Sequence, residues 1–239
     1  MTTLENVVFL LDVDNTLLDN DRVQDDLRNH LEREFGAANR DRYWAIFEAL
    51  RSELGYADYL GALQRYRGAD EAQAMDDPRL LLMSSFLIDY PFAEQLYPNA
   101  IAVIAHLRQW GPTVILSDGD VVFQSRKVLC SGLWEAVEER VLIYIHKEQK
   151  LDDVQQRFPA AYYVMVDDKL RILAAMKTIM GDRLTTVFPR QGHYALDLKN
   201  EMEYPPADLN IAHIGDLLNY DFSEPAKPVM RLLATNAKR

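Results

Sequence analysis

The chain has 239 residues, 49% of them hydrophobic, which provides for a substantial core and argues against global disorder. Its formal net charge of -11, from 26 Lys and Arg against 37 Asp and Glu, argues against general nucleic-acid binding. A phosphate ester stays open as a ligand, because a local cation and backbone amides outweigh a distant field. The single cysteine, Cys130, excludes an intramolecular disulfide and a cysteine zinc cluster.

In chain order, the apolar run Val7 to Leu11 predicts a short buried strand that delivers Asp12-Val13-Asp14-Asn15-Thr16-Leu17 at its carboxyl end. No basic stretch precedes that run, and no apolar segment approaches the roughly 20 residues of a bilayer span, so a cytoplasmic location without a membrane partner is expected. From Asp21 to Phe35 the positions Val23, Leu27, Leu31 and Phe35 recur every four residues, an amphipathic helix stopped by Gly36. Further helices are predicted over Asp41 to Leu54, Tyr56 to Arg67 and Pro78 to Leu87. Nothing between Asp19 and Pro91 alternates like a strand. This helical insert is either a separate domain over one mouth of a sheet or a set of helices on the sheet faces, and its length favours the separate domain.

A β/α rhythm follows. Asn99 to Trp110 is helical, and Thr113 to Leu116 is a strand ending at Ser117-Asp118-Gly119. Val121 to Cys130 is helical, Val141 to Ile145 a strand ending near His146-Lys147, and Leu151 to Phe158 helical. Tyr162 to Val166 is a strand ending at Asp167-Asp168, followed by a helix over Leu170 to Met180. Strands are also predicted over Leu184 to Phe188 and Asn210 to Ile214, with Gly192-His193-Tyr194 as a plain connection between them.

Repeated buried strand, polar strand end and helix form a parallel-sheet pattern, and such sheets carry function beyond their strands' carboxyl ends. That rule selects Asp12 and Asp14, Ser117 and Asp118, Lys147, and Asp167 and Asp168. Taken singly, each has an ordinary alternative: a helix cap for Asp12, Asp14 and Ser117, a solvated lysine for Lys147, a solvated acidic turn for Asp167-Asp168. Lys150 competes with Lys147 for the strand-end position.

In this order the motifs resemble those of the haloacid dehalogenase-like hydrolase superfamily, especially its phosphatase branch with a helical cap. Asp12-Val13-Asp14-Asn15-Thr16 resembles the first family motif, Ser117 after Val114-Ile115-Leu116 the second, Lys147 the third and Val166-Asp167-Asp168 the acidic fourth. The resemblance implies an α/β fold: a Rossmann-like parallel-sheet core, residues 1–18 and 96–239, with an inserted α-helical cap, residues 19–95. It implies that Asp12 attacks phosphorus, that Asp14 serves as acid and then base, and that Ser117, Asp118 and Lys147 contact the phosphoryl group. It further implies magnesium bound by Asp12, the Asp14 backbone carbonyl and Asp168, with Asp167 assisting. Two departures stand out: Asp167 occupies a position where glycine often occurs, and Ile172 and Leu173 stand where a later acid is common.

The expected activity is therefore magnesium-dependent hydrolysis of a small phosphorylated metabolite through an aspartyl-phosphate, by a monomer or homodimer. Asp14 separates the chain from the carbon–halogen hydrolases of the resemblance, which lack that acid and do not use magnesium. The absence of lysine between Asp12 and Ser117 speaks against the phosphonatase mechanism. A phosphomutase and a non-hydrolytic phosphometabolite-binding protein are the alternatives.

Overall fold

The computed structural model describes residues 7–68 and 79–230. Val7–Leu11 forms strand β1, and all of it is buried. Val7, Phe9 and Leu11 join one apolar cluster, while Val8 and Leu10 join a second on the opposite face. An uninterrupted apolar run suits a strand covered on both sides, since successive side chains point to opposite faces.

Around β1 stand β2 (Thr113–Asp118), β3 (Val141–Tyr144), β4 (Tyr162–Val166), β5 (Leu184–Pro189) and β6 (Leu209–Ile211), in the order β3-β2-β1-β4-β5-β6. Every pairing in this sheet is parallel. It is the Rossmann-like α/β sheet expected from the sequence. The chain builds outward from β1 to β3, then returns to place β4 on the other side of β1. That reversal opens a crevice beyond the carboxyl ends of β1 and β4, where α/β sheets bind ligands. Leu11 pairs with Val166 and the Asp12 N–H donates to the Val166 carbonyl at 3.0 Å, so Asp12 and Asp167 emerge side by side.

Between β1 and β2 the chain forms α1 (Asn20–Phe35), α2 (Ala37–Leu54), α3 (Tyr59–Gly68) and α4 (Arg79–Ile88). Pro78, the expected start of the last of these, lies outside the described residues. Asp19 caps α1 by accepting the Arg22 N–H at 2.9 Å, and Val23, Leu27 and Leu31 form its buried stripe. Gly36 and Gly55, with φ of 84° and 79°, end α1 and α2 in a backbone region that glycine enters without steric cost. These helices pack chiefly on one another. An aromatic column joins them to the sheet's helices: Phe47 stacks on Tyr59 at 4.6 Å, and Tyr59 meets Phe123 at 4.8 Å. The two crossings run side by side, with the Asp19 N–H donating to the Gln95 carbonyl at 2.8 Å and the Tyr97 N–H to that of Leu17 at 2.9 Å.

The sheet-flanking helices include α5 (Ala100–Leu107), α6 (Phe123–Cys130), α7 (Leu133–Ala136), α8 (Leu151–Arg157) and α9 (Leu170–Met180). On α9, Leu170, Ile172, Leu173, Met176 and Met180 face the cluster of Val8 and Leu10. Late in the chain the structure departs from the sequence pattern. β6 stops at Ile211 because the Asp216 carboxylate accepts the Ala212 and His213 N–H groups at 3.0 and 2.9 Å, turning the chain before Ile214. The Gly192-His193-Tyr194 connection is helical, α10 (Gly192–Leu196), followed by α11 (Leu198–Glu203). A short antiparallel pair, β7 (Tyr220–Asp221) with β8 (Val229–Met230), closes the described chain.

Candidate active site

Asp12, the first residue beyond β1, is buried at the crevice. Lys147 Nζ reaches its Oδ1 at 2.5 Å, contacts Asp167 Oδ2 at 2.7 Å and donates to the Leu116 carbonyl at 3.1 Å. The structure thus brings Lys147 to Asp12, while Lys150 lines a separate groove. His146, at φ 61°, turns the chain after β3, and the Asp118 carboxylate accepts the Lys147 N–H at 2.7 Å. Asp118 therefore positions the lysine. Burial opposes charge on Lys147, but Asp12, Asp167 and Asp118 outweigh it and raise its pKa. Burial pushes the Asp118 carboxyl above its ordinary value.

Ser117 Oγ lies 3.5 Å from Asp12 Oδ1, and Thr16 Oγ1 donates to Asp12 Oδ2 at 3.3 Å while accepting the Asp168 N–H at 3.1 Å. Thr16 thus ties the turn after β1 to the turn after β4. Asn15, at φ 59°, makes the β1 turn tight enough for this, in a conformation asparagine tolerates better than most residues. Gly192 comes so close that a Cβ there would sit 2.5 Å from Asn15 Cβ.

Asp14 faces a cavity of about 250 Å³. Its Oδ1 accepts from Lys127 Nζ at 2.6 Å, and Lys127 also donates to Asn20 Oδ1 at 2.9 Å. Gln124, one turn earlier on α6, donates to Ser117 Oγ at 2.9 Å. The sequence reading passed over Gln124 and Lys127. Their signal was present: at this three-residue spacing they lie within the buried stripe of α6 beside Phe123 and Val128, where polar residues need partners.

The carboxylates of Asp12, Asp167 and Asp168 each offer an oxygen within 4.8 Å of the others. Burial pushes the Asp167 carboxyl up to about 6 and raises Asp168 well above the usual carboxylate range. Both oxygens of Asp168 are buried without a hydrogen-bond partner. An ionised carboxylate left so is costly, and a hard divalent cation bound through oxygen would satisfy it. The donor set, all oxygen and largely carboxylate, fits magnesium.

Arg51, Tyr56, Lys169 and Tyr194 also line the cavity. Phe47 and Tyr59 of the aromatic column reach it too, whereas Tyr43 spends its hydroxyl on the Tyr59 carbonyl at 2.9 Å. Burial opposes charge on Lys169, but Asp168, Asp12 and Asp167 raise its pKa.

No family model and no curated protein matches the chain. Among solved structures it is similar to a haloacid dehalogenase-like hydrolase from Burkholderia xenovorans, with 66% identity, TM-score 0.85, and coverage of 91% of this chain and 99% of that one. A magnesium-bound hydrolase of the same superfamily from Bacillus subtilis shares the fold at 17% identity and TM-score 0.57, over 89% of this chain and 97% of its own. An L-2-haloacid dehalogenase from Xanthobacter autotrophicus does so at 17% identity and TM-score 0.59, over 88% of this chain and 96% of its own. Fold, motif order and the identity to the Burkholderia protein agree: the chain belongs to the haloacid dehalogenase-like hydrolases.

Proposed function

We propose that the protein hydrolyses a small phosphomonoester with magnesium, through a phosphoryl group carried on Asp12. The observation that carries this reading is the buried, unpartnered Asp168 carboxylate beside Asp12 and Asp167. It calls for a cation at the nucleophile, and a cation beside an attacking carboxylate suits phosphoryl transfer. Asp14 adds the proton carrier that an ester leaving group needs.

In this mechanism Asp12 attacks phosphorus and the ester P–O bond breaks, with Asp14 giving its proton to the leaving oxygen. Asp14 then takes a proton from water, whose oxygen attacks the same phosphorus and releases phosphate and free Asp12. Ser117 and Lys147 hold phosphoryl oxygens and offset their charge, and Gln124 orients the Ser117 hydroxyl. Asp12, the Asp14 backbone carbonyl and Asp168 would hold magnesium, with Asp167 assisting, and the ion would neutralise charge on the phosphoryl oxygens.

Helices α1–α4 act as the cap. They supply one wall of the cavity through Phe47, Arg51 and Tyr59, and their paired crossings at Asp19–Gln95 and Leu17–Tyr97 form the hinge. The 250 Å³ cavity lies below the roughly 300–1,000 Å³ of pockets for drug-sized ligands, which suits a small metabolite. Purified protein given a panel of phosphorylated metabolites releases phosphate with magnesium, and Asp12→Asn abolishes release. Undiminished hydrolysis by Asp12→Asn would sink the mechanism.

A further inference from the structure

The cavity carries more positive charge than the transferred phosphoryl group needs. Lys147 is taken up by Asp12, Asp167 and the transferred phosphoryl group, and Arg171 by Glu148 at 2.8 Å. Two other cations flank one ring in the cavity wall. Lys169 Nζ, from the turn after β4, lies 5.1 Å from the Tyr194 ring centroid, and the Arg51 guanidinium, from α2, lies 5.9 Å from it. Arg51 also donates to the Tyr194 hydroxyl. Its own carboxylate neighbour, Glu48, stands 3.6 Å away on an exposed side chain, a contact of little worth in water. No carboxylate among the described residues comes within 4.0 Å of Lys169 Nζ. Asp14 and Asp118 are the acids lining this cavity. Asp14 is paired with Lys127, and Asp118 accepts the Lys147 N–H.

We propose that Arg51, Lys169 and Tyr194 form a subsite for a second anion, so that the substrate is a small phosphorylated hydroxy acid whose carboxylate docks there. This rests on the phosphatase reading above and narrows its substrate class. A guanidinium offers two parallel donors matching the two oxygens of a carboxylate, and the neighbouring ammonium adds charge. The small cavity favours a carboxylate over a second phosphate. Arg51 comes from the proposed cap and Lys169 from the sheet, so one bound carboxylate bridges the two and draws them together.

The test uses phosphoglycolate and ethyl phosphate, which differ by a carboxylate in place of a methyl group. With magnesium, the intact protein is expected to favour phosphoglycolate in kcat/KM. Arg51→Met should lower kcat/KM for phosphoglycolate at least about tenfold more than for ethyl phosphate, chiefly through KM, and Arg51→Lys should restore part of the difference. Equal losses on both compounds, or no preference in the intact protein, would overturn the subsite. If the intact protein hydrolyses neither compound nor p-nitrophenyl phosphate, the phosphatase reading fails and calorimetry judges the subsite separately. Tighter binding of phosphoglycolate than ethyl phosphate, erased by Arg51→Met, supports it. Equal binding of the two overturns it.

Discussion

Lys127 Nζ lies 2.6 Å from Asp14 Oδ1, with the lysine side chain 1% exposed and that of Asp14 25% exposed. Helix α6 thus reaches Asp14, the proposed acid and base, and leaves part of that carboxylate open to the cavity. The ammonium fixes where the carboxylate points, and Asn20 Oδ1 holds the ammonium in turn at 2.9 Å.

Lys127→Met should lower kcat about 100-fold while leaving KM within about threefold, because it misplaces a proton carrier without touching ground-state contacts. It should also cost about 2–3 kcal/mol of stability, less than the ~3–5 for breaking a fully buried pair, since Asp14 keeps access to water. Steady-state kinetics and urea midpoints check the two halves. A kcat loss smaller than about threefold would remove Lys127 from the account of the site.

The metal assignment has a readout that needs no turnover. Magnesium at a hundredfold excess over its dissociation constant should stabilise the wild-type protein by about 2.7 kcal/mol, seen as a raised thermal midpoint. Asp168→Asn should lose that response. Its metal-free midpoint should be no lower than that of the wild type, because the substitution removes a buried carboxyl that has no hydrogen-bond partner. A full magnesium shift in Asp168→Asn would place the ion elsewhere.

Asp21 joins α1 to α10, accepting the His193 backbone N–H at 2.8 Å and meeting the His193 ring at 2.5 Å. Burial pushes the Asp21 carboxyl up, but hydrogen bonds from His193 and Asn15 outweigh it and hold the group below its ordinary 3.8. A carboxyl depressed in the folded state stabilises the protein above its unfolded value, and that contribution drains away as pH falls through the folded value. The stability difference between wild type and Asp21→Asn should therefore be largest near pH 5 and shrink toward about pH 3. Urea midpoints across that range test it, and a constant difference would contradict it.

Much of this was legible in the sequence, for identifiable reasons. β1 and β4 are short apolar runs that end at acids, so apolar patterning and polar punctuation located both strands within a residue. Asp12, Ser117, Lys147 and Asp168 were visible because strand ends of a parallel sheet converge. Lys127 and Gln124 were passed over despite their polar signal, since they sit inside a helix whose stripe reads as core. Arg51, Lys169 and Tyr194 come from three distant segments that only the fold brings together. The end of β6 was misjudged because a single carboxylate, Asp216, turns the chain while the apolar run continues to Ile214.

The central claim is that Asp12 carries the phosphoryl group between the two half-reactions. Asp14→Asn given p-nitrophenyl phosphate and magnesium tests it most directly, because nitrophenolate leaves without a proton while water attack still needs the base. Acid quenching followed by mass spectrometry of the Asp12 peptide is the measurement. The account predicts a rapid burst of about one nitrophenolate per protein, with a phosphoryl group on Asp12. Stoichiometric nitrophenolate release with unmodified Asp12 would contradict it.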